Sequence, residues 1–280
     1  MDNTVAWASV EKDGRVLPVP IPVAVRPVRY GVMFYPPQDT YVGRSLHLYG
    51  EYSEAEVEIF RQMIPSDGTV IDVGAHIGAH TVAMARIARE IIAFEPQYFL
   101  YGLTCANMAL TSHRRYVVFN RAVGAECGDV KMPLWDYTQV GNFGAIAMGE
   151  GLNKVSIMTI DSLNLKRVDF IKIDVEGMEA KVLQGAKETI QRCRPVMLIE
   201  NDREPETQVG VITVVREFGY IPQWSPSPLW NPNNFYANPE NVFGEICSVN
   251  MLCTPKERTP KDAVEVEGPL TIIRSPGEKK

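Results

Sequence analysis

Three stretches of the sequence bring carboxylates to places where strands should end, and they define the chemistry this chain can attempt. The first is VIDVGAHIG, residues 70–78, in which Asp72, Gly74, Ala75, His76 and Gly78 close an apolar run. Ligands of open α/β sheets bind beyond the carboxyl ends of strands, where a glycine turn lets them approach the backbone and a helix N-terminus. The two glycines stand four apart, which is not the G-x-G-x-x-G of a dinucleotide site, and Asp72 would repel a pyrophosphate. S-adenosylmethionine suits this charge pattern better, because it carries cationic groups and one carboxylate that could use N–H groups left free by the turn. The competing reading is a tight strand-to-helix turn capped by Asp72.

The second stretch is IIAFEP, in which Glu95 follows Asp72 by 23 residues and is itself followed by Pro96. A carboxylate at the end of a second strand can accept both hydroxyls of an adenosine ribose. Glu95 and Pro96 therefore join the expected cofactor-binding set; a solvated strand-end glutamate is the plainer alternative. The third is FIKIDVEG at 170–177, followed by a helix and by VMLIE at 196–200. It sends Asp174, Glu176 and Glu200 to the same edge of the sheet. Clustered carboxylates raise one another's pKa, which would serve a general base or a divalent metal site. The plainer alternatives are that Asp174 or Glu176 caps the next helix and that Lys172 neutralises one of them. Of His47, His76, His80 and His113, only His76 is expected near the cleft, as a cofactor contact.

These residues need a scaffold, and the hydrophobic periodicity supplies one. From residue 69 onward short apolar runs alternate with amphipathic helices, the pattern of a doubly wound α/β fold with a mostly parallel sheet. Before it, VLPVPIPVAV and YGVMFY read as an edge strand or extended arm, and Ser53 with Glu56 forms an expected capping box ahead of Val57, Phe60 and Ile64. Residues 124–165 read as turns and short β-like pieces, and the proline- and asparagine-rich residues 218–239 as an irregular loop. The aromatic and amide groups there, with Trp230 foremost, together with Trp135 and Asn142, are the expected acceptor-binding residues, since flat apolar faces beside amides stack on sugar rings.

Composition narrows the class further. The 280 residues are 45% apolar and 22% charged with a formal charge of −6, which argues for a folded globule and against bulk nucleic-acid binding. The five scattered cysteines read as reduced thiols in a cytosol, and neither a secretory signal nor a membrane span is expected.

The motifs VIDVGAHIGAHTVAMAR, IIAFEPQ, LTCANMALTS, NRAVG, TIDSL and FIKIDVEGMEAKVLQGAKETIQRCRPVMLIE together resemble the FkbM-type methyltransferases, S-adenosylmethionine-dependent enzymes that methylate hydroxyls of sugars and polyketides. The resemblance covers residues 70–200 and departs at His76, where the family more often has asparagine. It implies a Rossmann-like, mostly parallel sheet of about seven strands whose last strand is antiparallel. It also implies a methyl donor held by residues 72–78 and Glu95, with chemistry near Asp174. Asp174 is the first choice for a base, with Glu176 and Glu200 supporting it or ligating a divalent ion. The expected organisation is an N-terminal appendage over 1–52, a methyltransferase domain over 53–254 with a segment covering the acceptor over 221–244, and a loosely held tail over 255–280. The expected acceptor is a small molecule, a glycan or a peptide; N-methylation of a side-chain amide and a non-catalytic nucleoside-binding module are the alternatives. A nicotinamide-dependent dehydrogenase is disfavoured by the glycine spacing.

Overall fold

The computed structural model describes residues 4–10, 16–111, 114–146, 149, 151–259 and 264–270. His113 and the last ten residues of the expected tail lie outside them. A seven-stranded sheet runs through the centre in the spatial order Tyr220–Pro228, Cys247–Pro255, Val196–Glu200, Phe170–Ile173, Thr69–Val73, Glu90–Phe94 and Arg115–Phe119. The five strands from Val196–Glu200 to Arg115–Phe119 pair in parallel. Cys247–Pro255 alone is reversed, antiparallel to both neighbours. The fold is thus the expected Rossmann-like α/β sheet.

Strand periodicity decides which helix each side chain meets, because successive residues point to opposite faces. Val70, Ile91, Phe170 and Leu198 pack in one buried cluster with Val82 and Leu103 from helices Ala79–Ala85 and Tyr98–Thr111. Their neighbours Ile71, Ile92, Ile171 and Met197 pack in another with Leu183, Ile190 and Val211. Each fully buried side chain of this kind contributes roughly 1.5–3 kcal/mol. The N-terminal segment is part of the first cluster: Val28, Met33, Tyr35 and Leu46 are buried there.

Two local readings are corrected. Residues 220–228 form a strand, not a loop, even though it contains Pro222, Pro226 and Pro228. It is the sheet's edge strand, and all three prolines fall on alternate positions that face away from Cys247–Pro255, so no ladder bond needs their missing N–H. The Pro222 carbonyl on that open edge accepts the N–H of Val266, which ties part of the tail to the sheet. The Ser53–Glu56 capping box is absent: Ser53 stands in the left-handed region at φ 43°, and its hydroxyl donates to the Glu56 carboxylate at 2.9 Å instead of receiving a backbone N–H. The short β-like pieces expected over 124–165 are present: residues 122–158 contain a small sheet of Ala122–Val123, Asn153–Met158 and Gly128–Met132.

From Thr69–Val73 the chain passes to Glu90–Phe94 on one side, while Phe170–Ile173 pairs on the other. This reversal leaves a crevice at the carboxyl ends of both strands, the place where open α/β sheets bind ligands.

Candidate active site

That crevice is a cavity of about 1050 Å³ whose wall includes Asp72, Gly74, Ala75, His76, Glu95, Pro96, Asp174, Glu176, Glu200 and Asn142. Three of the sequence-predicted residues stand off the wall. Gly78 is the left-handed N-cap of Ala79–Ala85 at φ 83°, with space for a Cβ limited by Thr104 at 3.2 Å, so its glycine is accounted for by the helix start. Trp135 lies against Phe143 and Gly141. Trp230 packs against a cluster of Tyr49, Leu229 and Phe243, and its indole N–H has no hydrogen-bond partner among the described residues.

The glycine turn is built differently from expectation. The N–H groups of Gly74 and Ala75 both donate to the Phe94 carbonyl, at 3.0 and 2.9 Å, and that of Gly78 donates to Ala75, so these donors are not left free for a carboxylate. Gly74 is needed for a second reason. At φ +88° a Cβ would stand 1.8 Å from the Asp174 carbonyl oxygen, so the end of the neighbouring strand fills the space. Asp72 does not cap the turn; its Oδ2 accepts the Thr81 hydroxyl at 2.6 Å, and its buried Oδ1 has no partner among the described residues. Burial pushes the Asp72 carboxyl up, against the pull of Lys172 and Thr81.

Glu95 is 3% exposed and fixed by the backbone: Oε2 accepts the His76 N–H and Oε1 the Gln97 N–H, both at 2.8 Å. Each oxygen keeps a lone pair for a ligand hydroxyl. Burial pushes this carboxyl up to about 8, against those two N–H bonds and with Asp72 and Asp174 adding to the rise. His76 adopts φ 53°, a region that asparagine enters more readily than histidine, and both of its buried ring nitrogens lack partners among the described residues. Burial holds its pKa below the ordinary value, so the ring is neutral near pH 7.

At the next strand Lys172 Nζ meets Asp174 Oδ2 at 2.6 Å, as the charge-neutralising alternative required. Burial opposes the charge on Lys172, but Asp174, Asp72 and Glu56 together outweigh it and raise its pKa. Asp174 is pushed the other way, to about 2, because Lys172 and a hydrogen bond with Glu200 outweigh its burial. Glu200 is driven well up by burial and by the charge of Asp174. Glu176 Oε2 meets Arg203 Nη2; burial, opposed by that cation, leaves its carboxyl at about 7. Neither Asp174 nor Glu176 caps the following helix, which begins at Glu179 without a side-chain cap.

The alternative that these carboxylates hold a divalent ion does not fit. Asp174 is engaged by Lys172 and Glu176 by Arg203, and among the described residues no group of three or more His, Cys, Asp or Glu is placed to hold a metal. A nucleoside fits better: Glu95 presents two oriented oxygens, while Asp72 Oδ1 and the His76 ring offer unpartnered polar atoms.

The wall also contains residues outside the predicted site set, and His80 is there although only His76 of the histidines was expected near the cleft. His80, Lys172 and Arg203 line the cavity, as do Tyr41, Gln97 and Phe243. Lys172 was legible, since a lysine inside a strand buried on both faces needs a carboxylate partner. His80 lies in helix Ala79–Ala85, four residues after His76, and its Nδ1 lies 3.9 Å from Glu56 Oε2, a residue the sequence pointed to only as a helix cap.

The FkbM methyltransferase domain matches residues 72–224, more than half of the chain, and the chain belongs to that family. No curated protein sequence matches. Among solved structures, an FkbM methyltransferase from Methylobacillus flagellatus KT aligns at 16% identity and a TM-score of 0.44, over 68% of this chain and 44% of that one. The chain thus spans less than half the length of that protein. M. jannaschii TYW2 in complex with AdoMet aligns at 9% identity and a TM-score of 0.43, over 87% and 90% of the two chains. A putative methyltransferase from Streptococcus mutans in complex with SAH aligns at 11% identity and a TM-score of 0.42, over 72% and 96%. Among the described residues no helix is long and apolar enough to cross a membrane.

Proposed function

We propose that this protein is an S-adenosylmethionine-dependent O-methyltransferase acting on a hydroxyl of a sugar, polyketide or other natural product. The observation that carries the reading is the placement, in one cavity, of a ribose-type carboxylate fixed by backbone N–H groups, Glu95, and an ionised carboxylate beside a buried lysine, Asp174. Asp72, His76, Glu95 and Pro96 line the nucleoside portion, with Gly74 and Ala75 forming the turn beneath it. S-adenosylmethionine supplies a methyl group already activated on a sulfonium, with the carbon–sulfur electron pair staying on sulfur as the acceptor oxygen forms its bond to carbon. The protein's contribution is then largely alignment of two bound reactants.

Asp174 receives the acceptor's proton at Oδ1 or Oδ2. Its low pKa is compatible with that role, because an alcohol oxygen gaining a methyl becomes a much stronger acid than the free alcohol. A carboxylate ionised at every working pH is therefore a sufficient acceptor. Glu176 and Glu200 line the same part of the cavity, and Asn142 offers an amide to the acceptor.

Calorimetry with S-adenosylmethionine, S-adenosylhomocysteine and the nicotinamide cofactors tests the donor half. Binding of the first two only is expected; binding of a nicotinamide cofactor instead would overturn it. Mass spectrometry of hydroxylated and amide-bearing acceptors incubated with the enzyme and donor tests the acceptor half, and methylation confined to amide nitrogen would move the assignment to nitrogen.

A further inference from the structure

Lys172 is 3% exposed and stands in a strand whose other residues, Phe170, Ile171 and Ile173, are all buried and apolar. A cation in that position is expensive unless it is paired. Its location is set by register. In the parallel sheet Lys172 lies opposite Asp72, and Asp174 continues the same face two residues on, with its N–H bonded to the Val73 carbonyl at 2.9 Å. Ile173 lies opposite Ile199, so the next residues along, Asp174 and Glu200, are brought side by side across the two strand ends. The ammonium reaches Asp174 Oδ2 at 2.6 Å.

We infer that Lys172 is a positioning residue for methyl transfer: its ammonium fixes Asp174 as the ionised member of the Asp174–Glu200 pair and leaves the shared proton on Glu200. The inference rests on the methyltransferase reading for its purpose and on the strand register for its geometry. Two carboxyls this close cannot both ionise readily, and without a third group the proton could sit on either. A cation on one side only breaks that symmetry. Asp174 has 38% of its side chain open, whereas Lys172 lies behind it, so the oxygens released from proton duty are the ones facing the cavity.

The charged and titratable groups around Lys172 come from every packed element. Asp72 is on the neighbouring strand, Glu200 on the strand beyond Asp174, Glu56 on helix Glu54–Met63, and His80 on helix Ala79–Ala85. Tyr52 precedes the first of these helices and faces Glu56 and Asp174. Glu56 already accepts the Ser53 hydroxyl, and Asp72 the Thr81 hydroxyl. His80 is held neutral by burial. On the far side Glu200 faces Glu176, Asp202 and Arg203, but Arg203 is engaged by Glu176, so Lys172 is the cation in direct contact with a member of the pair.

The test needs no acceptor. Carbon-13 carboxyl signals of Asp174 and Glu200 are assigned with Asp174→Asn and Glu200→Gln, then titrated between about pH 5 and about pH 8, where an uncompensated buried carboxyl changes charge. In the wild-type protein the Asp174 signal is expected to stay flat. In Lys172→Met it is expected to titrate inside the window, reflecting at least a tenfold gain in proton affinity, and Lys172→Arg should flatten it again. A flat Asp174 signal in Lys172→Met, or a titrating one in the wild type, overturns the inference.

Should Lys172→Met fail to fold, Glu200→Gln decides the matter. Asp174 must stay flat with Lys172 alone beside it; an Asp174 that titrates there means that Glu200 held the charge state and the inference is wrong. Calorimetry of S-adenosylhomocysteine with the wild-type protein reports separately on the donor reading. Its failure would leave the carboxyl result standing as a property of the pair.

Discussion

Asp72, Gly74, Ala75, His76 and Glu95 come from two neighbouring strand ends and the single turn that follows the first, and their hydrogen bonds run to the same two strand ends, the turn and the helix that follows it. Much of the opposite wall is assembled from Tyr41 and Val42, from Asn142 and Gly144 to Ile146, from Asp202 and Arg203, from Phe243 to Val249, and from Leu270, segments that meet only in the folded chain. The first wall is a local device that the sheet makes wherever a strand turns through glycine into a helix. The second is a tertiary device, whose residues depend on how an N-terminal segment, an inserted small sheet and a post-strand loop happen to close over the same crevice.

The comparison breaks most readily at Gly74. Gly74→Ala puts a Cβ 1.8 Å from the Asp174 carbonyl at a left-handed φ, so strand ends must separate. The expected loss is roughly 3 kcal/mol or more, seen in thermal or urea unfolding, or outright failure to fold. Gly144 lies in the other wall, and its added Cβ would meet Asn142 Oδ1 at 3.4 Å and His76 Cδ2 at 3.8 Å. Gly144→Ala should unfold within about 1 kcal/mol of wild type. Equal losses at the two glycines would mean that the two walls are not built differently.

Glu95→Ala comes next. It removes a charged acceptor for two hydroxyls and also the partner of the His76 and Gln97 N–H groups. S-adenosylhomocysteine affinity is expected to fall by about 1.5–3 kcal/mol, roughly ten- to hundredfold, by calorimetry. Asp174→Asn should leave that affinity within a few fold while lowering turnover, once an acceptor is known, by about 10²–10⁴. A large affinity loss in Asp174→Asn would make Asp174 a donor-binding residue and not a proton acceptor.

How legible this was in the sequence follows the same division. Asp72 and Glu95 could be read because strand, turn and strand are contiguous, so spacing alone fixes where a carboxylate ends up. Gly74 was expected to serve a ligand's approach, since the sequence does not reveal that the Asp174 carbonyl fills its side-chain space. The Tyr220–Pro228 strand was hidden by its prolines. Only the register against Cys247–Pro255 shows that they all point outward from the sheet edge. Arg203 and Phe243 carry no motif, and nothing short of the folded chain brings them to Glu176 and Tyr41.

A smaller effect sharpens the Glu95 assignment. Its folded carboxyl sits near 8 against an ordinary value near 4.5, so between these the folded state binds the extra proton. This group's contribution to stability is fully present below about pH 4.5 and is lost as pH rises through about 8. Ligand hydroxyls that donate to the carboxylate favour its ionised form, so S-adenosylhomocysteine affinity should rise several-fold from about pH 6.5 to about pH 8.5 and then level. Glu95→Gln should remove this slope. A slope that persists in Glu95→Gln belongs to another group, and Glu176, held at about 7, is the first to examine.

The smallest expected effect on the donor is at Trp230. Its ring packs with Tyr49, Leu229 and Phe243 behind the wall, so Trp230→Ala leaves S-adenosylhomocysteine affinity unchanged while lowering stability by about 1–3 kcal/mol in thermal unfolding. Phe243 separates the two interpretations of this region, because it belongs to that same cluster and also lines the cavity beside Tyr41, with the two rings stacked at 6.3 Å. If the segment recognises the acceptor, Phe243→Leu raises the acceptor's KM with donor affinity intact, and Trp230→Ala does so only as far as it loosens Phe243. A Trp230→Ala protein whose acceptor KM rises more than that of Phe243→Leu would put the indole itself in the acceptor path and the tertiary wall on the wrong side of this loop.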